Sequence, residues 1–200
     1  SMYHSWGIDL SDVTSNYMLA SAHSPNGGSL YATRGGGYGD NWCGASTAYR
    51  TIGSTHAYRP MVTTNANGAF GFAYQLFYNA SSGSTNYYGM DCDMDTSGNK
   101  YVAIRHQSLT PGVIMKVSGH TSQTMSIDWQ KAYEGTCTSK WWFPYAIKAD
   151  SSGNTYTVGY VEADVDSFCG KHGFIMKHNS SGVLQWTRMF TPVHSGTGKA

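Results

Sequence analysis

The sequence predicts an all-β fold, a β-propeller or partial propeller of about three four-stranded antiparallel blades. Three observations carry this. A turn phrase, Asp95-Thr96-Ser97-Gly98-Asn99, returns 55 residues on as Asp150-Ser151-Ser152-Gly153-Asn154, with a worn copy at Asp12-Val13-Thr14-Ser15-Asn16. Between the phrases lie short β-branched and aromatic runs bounded by Gly, Asn, Asp and Ser, the pattern of strands and tight turns. No window sustains a helical apolar period with caps.

The third copy is the clearest. Pro144 to Ala149 alternates and reads as a strand, and Asp150–Asn154 is a turn in which Asp accepts backbone hydrogen bonds and Gly supplies positive φ. Thr155 to Val161 is the second strand, 162–172 a long loop, and Gly173 to His178 the third strand. The turn Asn179-Ser180-Ser181-Gly182 leads to the fourth, Val183 to Phe190. The second copy repeats this with strands at Tyr88–Met94, Asn99–His106, Gly112–Val117 and Met125–Tyr133. Trp129 and Trp186 hold matching places in the two fourth strands, so both are expected in the blade core. The first copy is stretched: strands at Trp6–Leu10, Asn16–Ala22, Ala57–Thr63 and Phe70–Tyr78, with the turn Asn65-Ala66-Asn67-Gly68 echoing Asn179–Gly182. Asn16 to Asn99 is 83 residues, 28 more than 55, and an insertion at 23–56 accounts for the excess. The blades then span about 5–79, 87–133 and 144–190 of one repeat domain.

The phrases resemble a bacterial and phage β-propeller repeat of the form D-x-x-G-N-x-Y-x-x-G followed by G-F-I-x-K-x-N-x-x-G-x-x-x-W. The third copy carries it through Asp150, Gly153, Asn154, Tyr156, Gly159, Gly173, Phe174, Lys177, Asn179, Gly182 and Trp186. The second keeps Asp95, Gly98, Asn99, Tyr101, Lys116, Gly119 and Trp129, with Ala103-Ile104 where the repeat has Gly, and the first keeps Asp12, Asn16 and Gly68. The resemblance implies a propeller fold in an extracytoplasmic or virion setting, and no active-site motif can be carried over from it. Single-chain propellers close with about 4–8 blades. Three copies are therefore a fragment of a larger propeller, a set completed by oligomerisation, or a set in which the insertion supplies an irregular further blade.

Composition narrows the function classes. The chain of 200 residues carries net charge +1 with 12% charged residues, about half the ~25% typical of globular domains. No basic stripe points to nucleic acid, and no apolar run approaches the length of a membrane helix. Ser1-Met2 reads as an expression scar ahead of a missing natural N-terminus. The four cysteines form no CxxC, so a zinc site is not expected, and their pairing is not legible. Cys137 and Cys169 fall in long loops and suit a staple in an oxidising compartment, whereas Cys92 falls in an inner strand and reads as a buried free thiol.

A four-stranded blade sorts its connections onto two ends. One end has the short turns 95–99, 150–154, 65–68 and 179–182; the other has the long segments 23–56, 79–87, 134–143 and 162–172. Function concentrates on long loops held by a rigid scaffold. The candidate ligand-binding residues are therefore Tyr38, Trp42, Tyr49, Trp141, Trp142, Phe168 and His172. Flat rings with few charges suit sugar faces, and they equally suit a protein interface. Asp91, Asp93 and Asp95 alternate on one strand face, the first two toward a central channel. Glu162, Asp164 and Asp166 also alternate, and Asp164 and Asp166 are the lesser metal candidates, matching no calcium-loop spacing. No HExxH, nucleophile elbow or GK[ST] loop is present, so no catalytic residue and no cofactor is assigned. The expectation is a non-enzymatic recognition or structural module of a virion tail or fibre, or of a bacterial surface, presenting aromatic loops to a glycan or protein receptor. The alternatives are an assembly module whose aromatic face is a subunit interface, and a glycan-active enzyme.

Overall fold

The computed structural model describes residues 17–18, 22–23, 29–38, 41–52, 55–65, 72–76, 86–107, 111–119, 125–138, 140–165 and 168–190. These form strands in three successive antiparallel sheets, with no helix among the described residues. The first sheet holds β1 (Tyr17–Met18), β2 (Ala22–His23), β3 (Ser29–Tyr38), β4 (Asn41–Ile52), β5 (Thr55–Asn65) and β6 (Phe72–Leu76), in the order β1-β3-β4-β5-β6 with β2 also paired to β3. The second is the meander β7 (Tyr87–Met94), β8 (Lys100–His106), β9 (Gly112–Ser118) and β10 (Ser126–Tyr133). The third is the meander β11 (Trp142–Ala149), β12 (Thr155–Val165), β13 (Phe168–His178) and β14 (Leu184–Phe190).

The repeated phrases make the tight turns. Asp95 Oδ1 accepts from the Ser97 and Asn99 amides at 2.9 and 3.0 Å, and its Oδ2 accepts from Asn99 Nδ2 at 2.8 Å. Asp150 repeats the set with Ser152 and Asn154, and the Asn154 side-chain amide holds its carboxyl below the usual range. Asn179 does the same toward Ser181 and Val183. Gly98, Gly153 and Gly182 lie at φ of 80°, 75° and 75°, a region L side chains avoid.

Period-two alternation then decides what meets what. The second sheet is covered on both faces, which is why β8 is apolar without interruption from Tyr101 to Ile104. Val102 and Ile104 pack with Cys43, Ala45 and Val62 of the first sheet, while Tyr101 and Ala103 pack with Trp142, Ile147 and Phe174 of the third. Each fully buried aliphatic side chain here contributes about 1.5–3 kcal/mol. The alternating carboxylates Asp91 and Asp93 join two sheets instead of lining a channel. Asp91 Oδ2 accepts from the Ile147 amide and Asp93 Oδ2 from the Ala149 amide, each at 2.9 Å, so β7 holds β11 by its side chains.

Three expectations are corrected. The segment 23–56 is not a loop: it carries β3 and β4, and β4 packs its Cys43, Ala45 and Thr47 inward. The segment 162–172 is not a loop either, because β12 and β13 pair from Thr155↔His178 through Val165↔Phe168 as one long hairpin. Cys92 is not a free thiol; it is bonded to Cys43, and Cys137 is bonded to Cys169. Of the first copy's strands, Trp6–Leu10 lies outside the described residues.

Candidate functional site

The end of the sheets opposite the Asp-Gly-Asn turns is built by the start of β7, the end of β8, the start of β11 and the extended arm of the β12–β13 hairpin. Residues 134–138 and 140–141 are laid against that arm and held there. The Gly135 amide donates to Lys140 O at 2.9 Å, the Glu162 amide to Trp141 O at 2.8 Å, and the Asp164 amide to Thr136 Oγ1 at 2.8 Å. A Cβ on Gly135 would stand 2.1 Å from Glu162 O, so only glycine allows this approach. The Cys137–Cys169 bond ties the segment to β13, and Lys140 takes a left-handed φ of 52° just before Trp141. A side chain on such a braced segment is positioned by the scaffold.

What this end presents is a row of rings and cations that crosses all three sheets. Tyr58 of the first sheet stacks on Tyr88 at 5.3 Å. The Arg105 guanidinium lies 4.9 Å from the Tyr88 ring centre and 5.5 Å from that of Phe143. Phe143 meets Tyr160 edge to face at 4.8 Å and lies 5.7 Å from Trp141. Tyr145 is 5.7 Å from Tyr160. The Lys171 ammonium closes the row over two rings, 5.0 Å from Trp141 and 5.4 Å from Tyr160. Cation–π contacts of this kind are each worth about 0.5–1 kcal/mol when exposed. Burial first, then the neighbouring Tyr145, pushes the Tyr160 phenol up, so it remains a neutral hydrogen-bonding group at physiological pH. Glu162 lies directly across the ladder from Lys171, and Asp164 follows it on the same strand face, exposed. Rings, two carboxylates and an ammonium thus share one end of the third sheet.

The expected site residues divide. Trp141 is in the row. Its neighbour Trp142 points the other way, 4% exposed, between Phe174 at 4.8 Å and Tyr133 at 5.2 Å; this ring belongs to the core and offers no free face. His172, expected on a loop, is a strand residue 1% exposed, on the side of β13 that also buries Phe174 and Met176. The side chains of Tyr38, Trp42, Tyr49 and Phe168, and the whole of Asp166, lie outside the described residues. No group of three or more His, Cys, Asp or Glu that could hold a metal occurs among the described residues, which include Asp164. Trp129, expected in the core, lies half-buried at the seam between the second and third sheets, where Nε1 donates to Ser180 O at 3.0 Å; Trp186 is half-buried against Tyr156. Sequence reasoning missed Tyr88, Arg105, Tyr145, Tyr160 and Lys171. For Tyr160 the available signal was the alternation Tyr156, Val158, Tyr160, Glu162, Asp164, which shares one face of β12 once 162–172 is read as strand.

Neither a protein-family model nor a curated protein matches the sequence. The fold and its geometry define an all-β protein of stacked antiparallel sheets with an aromatic, cation-capped end.

Proposed function

We propose that the three sheets are β-propeller-type blades and that the chain is a non-enzymatic recognition module, presenting its aromatic end to a glycan in a virion tail or fibre, or on a bacterial surface. The observation that carries this is the Lys171 ammonium held over Trp141 and Tyr160 beside Glu162 and Asp164. A sugar stacks its C–H face on such rings while carboxylates and an ammonium bond its hydroxyls. A braced segment favours that arrangement, since little side-chain freedom is left to lose on binding. The stacking order of the sheets and the register-matched turns support the blade reading, and the two disulfides suit the oxidising setting of secreted and virion-surface proteins.

The test is a glycan array probed with the wild-type chain and with Trp141→Ala and Lys171→Ala, each checked for an unchanged thermal melt. Binding to a defined set of glycans, lost in both variants, is the expected result. Binding that survives both substitutions removes this end from recognition. Turnover of a polysaccharide, abolished by Glu162→Gln or Asp164→Asn, would instead make the protein a glycan-active enzyme.

A further inference from the structure

The two cations in the row of rings sit in different surroundings. Lys171 is exposed, with Glu162 across the ladder from it and Asp164 further along the same strand. Arg105 is half-buried, and among the described residues no carboxylate pairs with it. Its guanidinium lies against the rings of Tyr88 and Phe143, and its Nε is buried with no hydrogen-bond partner. Trp141, which also meets Phe143, has its Nε1 buried and unpartnered as well. Both groups are donors only, so the surroundings of Phe143 are short of acceptors.

Buried donors are almost always paired, because an N–H taken from water without a new acceptor loses its hydration for nothing. A guanidinium drawn partly out of water needs a counter-charge for the same reason. Its planar fork matches the two oxygens of a carboxylate, and rings packed against the plane fix its direction. The strand end that carries Arg105 is itself held. Arg105 pairs with Tyr88 across the ladder, and the Gln107 amide donates to Asn86 O at 3.0 Å. The Asn86 side chain donates to Gln107 Oε1 and accepts from the Tyr58 amide at 2.9 Å, which clamps this corner of the second sheet to the first. A fork presented in this way has little freedom left to lose on binding.

Resting on the glycan-recognition reading above, we infer that the ligand is an acidic glycan and that Arg105 is the subsite for its sugar carboxylate, the group shared by uronic and sialic acids. The carboxylate meets the two Nη groups end on and supplies the negative charge that this corner lacks. Glu162 and Asp164 set the register of the ligand. They repel an anion at the Lys171 end and accept from sugar hydroxyls there, so the carboxylate is directed to Arg105 while the sugar chain runs along the rings between. A neutral glycan leaves the guanidinium without a counter-charge and is bound less tightly.

The experiment is a glycan array probed with the full chain. It carries sialylated glycans and polyuronates, each beside its carboxyl-reduced form, with sulfated glycans as a further arm. Wild type is expected to bind members of one carboxylated class, which identifies the sugar, and to lose about tenfold to a hundredfold in affinity on carboxyl reduction, the range for hydrogen bonds to a charged group. That comparison changes the ligand and leaves the fold untouched. Arg105→Gln, with its thermal melt checked, is expected to bind the carboxylated and reduced forms equally. Arg105→Lys keeps the charge without the fork and is expected to recover only part of the preference. Equal binding of both forms by wild type overturns the inference, as does a preference that Arg105→Gln leaves intact or one confined to sulfated glycans. In those three outcomes binding that still depends on Trp141 leaves the recognition reading standing; binding to no glycan at all overturns both.

Discussion

Gly153→Ala isolates the seam between the second and third sheets. Two costs add at this position. Gly153 sits at φ 75°, where an L residue is strained by about 1–2 kcal/mol. The new Cβ would also stand 2.6 Å from Tyr101 Oη, closer than real contacts allow, so the ring must tilt. Tyr101 is fully buried and its hydroxyl donates to Asp95 Oδ2 at 2.9 Å, so tilting breaks a hydrogen bond to a charged group. A bond of that kind is worth about 1.5–3 kcal/mol, and the two costs together come to about 4 kcal/mol. For a chain of this length that lowers the melting temperature by about 12 °C. Tyr101→Phe removes the clashing oxygen, so in that background Gly153→Ala should cost only the backbone strain. Denaturant unfolding of the two single variants and the double variant gives the coupling directly, with about 2 kcal/mol expected. Additivity within about 0.5 kcal/mol would show that Tyr101 does not lie over the turn, and the stacking of these sheets would be refuted.

Two further outcomes follow from buried groups. Peptide mapping without reductant should recover Cys43 joined to Cys92 and Cys137 joined to Cys169. Replacing Cys43 and Cys92 together by Ser should cost about 4 kcal/mol by loop entropy for partners separated by 49 residues, and a free thiol at Cys92 in unreduced denatured protein would contradict the pairing. Burial, aided by the nearby Lys131 charge, lowers the His178 pKa from 6.5 to about 4. The folded state therefore keeps this ring neutral while the unfolded chain takes up a proton, so the contribution is complete above pH 6.5 and is lost as pH falls to about 4. His178→Gln, which can still bond the Tyr133 hydroxyl, should flatten stability across that window; an unchanged slope would assign the titration elsewhere.

The sequence was legible where a turn has its own chemistry. Asp95, Gly98 and Asn99, with their copies at Asp150, Gly153 and Asn154, bond their own backbone, and the strands on either side followed from them. β3 and β4 were not legible because no such phrase joins them, and Gly35-Gly36-Gly37 reads as a loop until its partners Gly44, Cys43 and Trp42 are known. Trp141 and Trp142 could be named but not oriented. Which of two adjacent residues faces the core depends on register, and β11 carries a bulge between Pro144 and Ala146 that no local signal announces. His172 was misplaced for a related reason: the β12–β13 pairing continues past the apolar run, through Glu162↔Lys171 and Asp164↔Cys169, whose polar residues read as loop. Cys43 and Cys92 meet only because the first two sheets stack, a contact between distant segments that spacing does not encode.

The stacking order is tested most directly by residue-resolved amide hydrogen exchange under native conditions. β8 is an inner strand of the second sheet with both faces covered, and β14 is an edge strand of the third sheet. The amides of Tyr101 to Ile104 should exchange only through global unfolding, the slowest in the protein, while those of Gln185 to Phe190 exchange orders of magnitude faster. Exchange in β8 as fast as in β14 would contradict the sandwiching of the second sheet between the other two, and with it the blade reading proposed from that order.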